Sequence, residues 1–428
     1  MRFPRLPRTN LHPWSAAFAL LLCVLLVSAC GSSKPVLKRV DHPKVAFKQA
    51  KVAVKVTTKK RAGKPFIWPI YGLNDARTRV FDGPADLEPP FKTGWKLGGN
   101  APLEFPPDID GNVLFFMDDH ATVNKVNATT GHRYWRHQIG TWSASTPALD
   151  PKLHLMFVSV LSMDSDSPGD GQFVALSMKT GQYVWRDAVA AGSETSPLVW
   201  GNNVYFGDAD GHLYDVSALT GKTIWSVSTD GPVKGGVTLA HGIIYVGNYA
   251  GQILALKAST GAQVWQSSVG GHVYASPTVA YGRVYVGSST SGGMYSFSAK
   301  TGALGWSLST GEYVYSSAAV DNTPGLGPTV YFGSYSGTAY AVNARTGAVD
   351  WTAGVGDSIS GAASIVNKVV YFSGVYDASS GIRTRGFNIT TGKQVFTYPD
   401  GAYTATVASP RAVYLSGHYT LYELLPAH

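Results

Sequence analysis

One motif recurs along this chain and restricts what it can fold into: Thr-Gly-x-x-x-Trp. It stands at Thr130-Gly131 with Trp135, Thr180-Gly181 with Trp185 and Thr220-Gly221 with Trp225. It returns at Thr260-Gly261 with Trp265, Thr301-Gly302 with Trp306 and Thr346-Gly347 with Trp351. A seventh copy, Thr391-Gly392, has Phe396 in place of the Trp. A spacing of roughly 40–50 residues marks a repeat architecture whose units pack side by side. Each unit reads as four short strands. Between residues 196 and 231 these are Ser196-Pro197-Leu198-Val199, Asn203 to Gly207, His212 to Val216 and Thr223 to Val227, with Gly, Asn and Asp between them as tight hairpins require. The Gly of Thr-Gly supplies positive φ in the turn entering the last strand. The Trp then presents a large apolar face to the neighbouring unit. The pattern predicts an all-β fold, a β-propeller of four-stranded blades.

Counting blades needs both ends of the chain. After the seventh last strand, Thr404 to Leu424 offers three strands, including Ala412 to Leu415 and Thr420 to Glu423. The missing fourth is found at Gly94-Trp95-Lys96-Leu97, before the first complete unit. The expectation is therefore eight blades over residues 91–428, the last closed by strands from both termini, which removes exposed sheet edges. Seven blades remain the alternative if Trp95 is only a cap. Trp95, Trp135, Trp185, Trp225, Trp265, Trp306 and Trp351 are assigned structural docking between blades.

The N-terminal residues read differently. Arg2, Arg5 and Arg8 precede an apolar run from Ala16 to Val27 that ends in Val27-Ser28-Ala29-Cys30. A basic start, a short apolar stretch and small residues before a cut describe an export signal over 1–30, and the run is short for a membrane span. Val-Ser-Ala-Cys resembles the bacterial lipobox, which implies lipidation of Cys30 and a membrane-anchored extracytoplasmic lipoprotein of the cell envelope. The alternative is an uncleaved anchor with an incidental Cys. Residues 31–64 then form a basic tether, with Lys34, Lys38, Arg39 and Lys59-Lys60-Arg61 among its cations and Asp41 as its one acid. Such a run suits anionic head groups or a solvated spacer. The net charge of +8 is thus local, and the rest of the chain is mildly acidic, which argues against nucleic-acid binding. Residues 65–90, rich in aromatics and Pro, form a lead-in expected to pack on the body without a core of its own. Both cysteines, Cys23 and Cys30, precede the body, so it has no thiolate chemistry.

The repeat resembles that of the pyrroloquinoline-quinone (PQQ) propellers, whose docking motif reads roughly Ala-x-Asp-x-x-Thr-Gly-x-x-x-Trp. Residues 216–225 and 256–265 match it except at the Asp. The resemblance implies either a quinoprotein dehydrogenase, holding PQQ and Ca²⁺, or a non-enzymatic lipoprotein of the BamB type that acts as an assembly scaffold. The dehydrogenases hold their cofactor with a Glu/Asn/Asp set, and many stack a vicinal Cys pair on it. No such set can be matched here, so the retained fold without cofactor is favoured. No other catalytic motif is present.

Candidate binding positions follow from the register. Nine residues after each blade Trp the chain enters the innermost strand at one mouth of the channel. That position holds Glu104, Ala144, Glu194, Lys234, Tyr274, Tyr315 and Ser360, with Tyr403 or Ala405 as the eighth member. With Trp142 at the same rim, Glu104, Glu194, Lys234, Tyr274, Tyr315 and Tyr403 form a candidate ring for a ligand or peptide; the plain alternative is a wet, polar channel mouth. Asp164, Asp166 and Asp170 put three carboxylates in one long loop, a weak Ca²⁺ candidate against a solvated turn. The expected function is an envelope scaffold, a monomeric propeller with a protein partner. The alternative is an oxidoreductase with an atypical site.

Overall fold

The computed structural model describes residues 65–163, 170–189, 191–375, 381, 383–401, 403 and 406–427. Eight sheets form the blades of a closed propeller. Blade 1 spans Asp108 to Gln138 and blade 2 Ala148 to Ala188; blades 3 to 7 begin at Leu198, Thr238, Thr278, Ala319 and Ser364. Within each, four antiparallel strands run outward in chain order. Blade 8 takes three strands from Val407 to Pro426 and its outermost strand from Phe91–Gly98, where Lys96 pairs with Tyr422 and Leu97 with Leu421. The eight-blade expectation and its closure by both termini hold.

The docking tryptophans act as staples. The indole nitrogen of Trp225 donates to the Ala258 carbonyl of the next blade at 3.0 Å. Equivalent bonds run from Trp95 to Ala128, Trp135 to Lys179, Trp185 to Ala218, Trp265 to Ala299, Trp306 to Ala344 and Trp351 to Ile389. Each ring also lies on the glycine of the next blade's Thr-Gly turn. At Gly221, φ is +70° and an added Cβ would come within 2.7 Å of the Trp185 ring, so two independent constraints demand glycine there. At several joints a second-strand tyrosine donates to the same carbonyl, as Tyr205 does to Ala258 at 3.3 Å.

The joint between blades 7 and 8 departs from this pattern, and the closure explains why. Blade 8's two outer strands come from opposite chain ends, so no Thr-Gly turn connects them. Phe396 therefore has no turn carbonyl to reach, and it packs on Phe91 instead with centroids 5.6 Å apart. Tyr371, the second-strand tyrosine of blade 7, is buried with a hydroxyl that no described residue pairs.

Residues 65–82 occupy the axis. The first strand, β1 (Ile67–Trp68), pairs antiparallel with the innermost strand of blade 1, and β2 (Val80–Phe81) pairs parallel with that of blade 7. Between them the chain accepts hydrogen bonds from the innermost strands of four more blades: Leu149 to Pro69, Leu239 to Asp75, Val279 to Ala76 and Val320 to Thr78. So short a segment reaches six blades only where their inner edges converge. The backbone groups that an open channel would leave to water are satisfied by the lead-in.

Arg77 and Arg79 anchor this plug, both buried and both at positive φ, 53° and 59°. Arg77 donates from Nε to Val237 O at 2.7 Å, from Nη2 to Ser196 O at 2.9 Å, and from Nη1 to Tyr71 O. Arg79 donates from Nη1 to the Arg77 carbonyl at 2.7 Å and to Thr278 Oγ1 at 3.0 Å. Burial lowers the pKa of both, and for Arg77 the neighbouring Arg79 adds to the effect.

Candidate functional site: the open mouth of the channel

Every blade has two faces, and hydrogen bonds distinguish them. On one face the Thr-Gly turn is clipped to the hairpin joining the first two strands, as Ala258 N–H donates to Gly242 O. The chain enters the axis on this face, where Gly111 N–H donates to Phe66 O. On the other face, the loop entering each of blades 1 to 7 is clipped to the exit of its second strand. Asp119 donates to Pro102 O, Tyr249 to Pro232 O, Ser289 to His272 O and Tyr335 to Tyr313 O. These clips hold the ninth-residue positions at the rim. The lead-in fills the axis on the entry side, and these positions ring the axis on the opposite face, the mouth.

The ring positions fall unevenly around the mouth. Glu194 and Lys234, from adjacent blade entries, form an ion pair with Nζ 2.7 Å from Oε1. Glu194 is nearly buried, and Tyr274 donates to its other oxygen at 3.4 Å. Tyr274 meets Tyr315 edge-on at 5.7 Å. Glu104 couples electrostatically to Glu194. Trp142 stands at the rim, 38% exposed, its carbonyl accepting from Leu161 N. Val407 pairs with Tyr414 as Thr278 pairs with Tyr285. Tyr403 thus stands four residues before its inner strand, as Tyr274 does, and is the eighth member by register. Ala144 is buried and contributes backbone only.

A second tier was missed from the sequence: Asp119, Tyr249 and Tyr335, from the exits of the second strands. Tyr249 stacks on His272 at 4.9 Å and receives the Lys234 ammonium over its face at 5.1 Å. Tyr335 meets Tyr315 at 4.9 Å and Tyr313 at 6.0 Å. The signal that would have found them is positional, the second residue after the Gly or Met ending each second strand: Met117, Gly247 and Gly333. Blades 4 to 6 thus line the mouth with touching tyrosines, and blades 1 and 3 bring in the carboxylates of Glu104, Asp119 and Glu194.

Those carboxylates are held away from their ordinary charge state. Burial raises the pKa of Glu104, and the Glu194 charge raises it further. Burial likewise raises Asp119, with Glu104 and Asp118 adding repulsion. The mouth is short of cations, and an incoming positive group would relieve that repulsion.

Of the Ca²⁺ loop, Asp164 and Asp166 lie outside the described residues. Asp170 accepts from Met163 N at 2.7 Å and from Ser162 Oγ at 3.1 Å, which pins the loop's base. Among the described residues no group of three or more His, Asp or Glu side chains is gathered to hold a metal ion. Cys30 and the basic tether also lie outside the described residues.

Residues 92–209, 119–233 and 209–423 match the family described as outer membrane protein assembly factor BamB. The chain belongs to that family. Among solved structures it is similar to BamB from Moraxella catarrhalis, with 17% identity, a TM-score of 0.63, and 78% of this chain and 100% of that one covered. It is also similar to the quinohemoprotein alcohol dehydrogenase of Comamonas testosteroni, at 14% identity and TM-score 0.65, covering 84% of this chain and 80% of that one. A europium-containing methanol dehydrogenase shares 12% identity at TM-score 0.64, with 84% and 98% covered. At such identities the likeness to these structures is one of fold. No curated protein matches the sequence.

Proposed function

We propose that the protein is a non-enzymatic scaffold of the cell envelope, anchored through lipidated Cys30 and its basic tether, that binds a protein partner at the open mouth. The observation that carries this reading is the cluster of acids and tyrosines gathered around the axis on the mouth face. Tyrosines supply large, rigid contact area, and the crowded carboxyls of Glu104 and Asp119, which give up their protons more readily beside a cation, favour a partner segment rich in Lys or Arg. The family name, outer membrane protein assembly factor, is in keeping with a role in assembling envelope proteins.

The oxidoreductase alternative has the quinohemoprotein and methanol dehydrogenase structures in its favour. The mouth suits their quinone poorly. PQQ is a flat polyanion, whereas the ring offers Lys234, already committed to Glu194, against Glu104 and Asp119. In-cell crosslinking from Tyr315 and Trp142, followed by capture, tests the scaffold: a partner trapped through these positions is expected. Stoichiometric uptake of PQQ with Ca²⁺, accompanied by dye-linked alcohol oxidation, would replace the scaffold reading with the enzymatic one.

A further inference from the structure

Blades 8 and 1 meet around a polar pocket. It encloses about 120 Å³ between the end of the outermost strand of blade 8, at Leu97 to Asn100, and blade 1. One third-strand position, which holds Val174, Leu254 and Arg385 in blades 2, 4 and 7 and a tyrosine in four others, shapes it. The third-strand position opposite Phe206, Val286, Phe332 and Leu415 carries Tyr214, Tyr295, Tyr340 and Tyr422. In blades 3 and 6 that ring stacks on its partner, with centroids 4.9 and 5.0 Å apart. Opposite Phe116, blade 1 has Asn124. The space a phenol would fill is left open beside a short amide.

What lines that space is cationic and hydrogen-bonding. Arg133, Arg136 and Gln138 reach it from the outermost strand of blade 1, with His120 and Asp118 from the loop below. The Arg133 Nε is buried and donates to no described residue. Arg133 and Arg136 lie close enough to repel, which lowers the Arg133 pKa beyond the effect of its burial. Asp118 competes weakly for them: its Oδ1 accepts from Thr122 N at 3.0 Å, and burial raises its pKa. Two adjacent guanidiniums that form no carboxylate salt bridge among the described residues, one with an idle buried donor, suit the geometry and charge of an oxyanion.

We propose that this interblade pocket binds a phosphate group, held by Arg133 and Arg136 with Asn124 and Gln138 as neutral partners. The group can arrive as free phosphate or as a lipid head group. The site is separate from the mouth, and neither its presence nor its absence bears on the partner proposed there.

The test uses the full chain in detergent, titrated calorimetrically with inorganic phosphate and, in parallel, with glycerophosphoglycerol, the soluble head group of phosphatidylglycerol, so that neither anchor nor tether can contribute membrane binding. Two variants isolate the pocket. Arg136→Gln removes one charge from an exposed side chain. Asn124→Tyr installs the residue that four other blades carry at this position, filling the space without changing charge. Saturable phosphate binding that weakens about tenfold or more in both variants is expected, as for loss of a charged hydrogen bond or of the cavity itself. Binding of glycerophosphoglycerol that weakens in both variants, without binding of free phosphate, would assign the pocket to a lipid head group. Wild-type protein that binds neither probe, or binding that both variants retain, overturns the proposal.

Discussion

At the scale of single residues, the mouth is governed by how few cations it has. Lys234 is held between the Glu194 carboxylate and the Tyr249 ring, and Glu194 is almost buried. Lys234→Met would leave that carboxylate without its partner, at a cost of about 2–3 kcal/mol, reduced from a fully buried case by water in the mouth. Glu194→Gln should cost less, because Lys234 can turn to solvent; urea denaturation of the two variants checks the order. Glu104 and Asp119 give a pH signature. Both bind their proton more tightly folded than unfolded, so their contribution to stability is full below the ordinary carboxylate range. It is withdrawn as pH rises through their raised pKa values. The combined Glu104→Gln and Asp119→Asn variant should therefore lose less stability than wild type between about pH 5 and about pH 9, by on the order of 1 kcal/mol. Parallel falls of melting temperature in the two proteins would contradict this. A basic peptide binding the mouth should release protons in the same window.

At the scale of elements, the interblade staples are alike in sequence but unequal in redundancy. The Ala258 carbonyl accepts from both Trp225 and Tyr205, whereas among the described residues the Ala218 carbonyl accepts from Trp185 alone, since Phe157 stands where Tyr205 does. Trp185→Phe should thus destabilise by roughly 1 kcal/mol more than Trp225→Phe, because only the former strands a carbonyl. Phe396→Trp should add no stability, there being no turn at blade 8 to receive its N–H; a gain would show that the joint is misread. These cases also show what was legible beforehand. The Trp and the Thr-Gly are short-range features repeated in register, so blade number, closure through Trp95 and the ninth-residue ring could be counted from them. Why Phe396 differs could not be read, because the reason lies in a turn that the closure removes from another blade. Asp119, Tyr249 and Tyr335 were hidden similarly, as they reach the mouth from second strands whose exits the Trp ruler does not mark. Asn124 is conspicuous only once strand pairing shows which tyrosines it replaces.

At the scale of the whole molecule, the ring is built around residues that precede it. The lead-in carries no repeat, and its bonds to six blades run largely backbone to backbone, so its composition suggested packing without saying where. Arg77 reaches blades 3 and 4 at once, through Ser196 and Val237. Arg77→Met should cost about 3 kcal/mol or more, since it leaves buried carbonyls unpaired where the blades converge. Loss of cooperativity in the unfolding curve is the accompanying sign that the blades no longer act together. The route of the lead-in also decides how the molecule would answer to force. β1 runs antiparallel along the inner strand of blade 1 from the face where the chain enters. Tension drawn from Pro65 along the axis would load those bonds in shear, all together, instead of peeling them in turn. It would pass to the hub and be shared among the blades like spokes, leaving the rim unstrained.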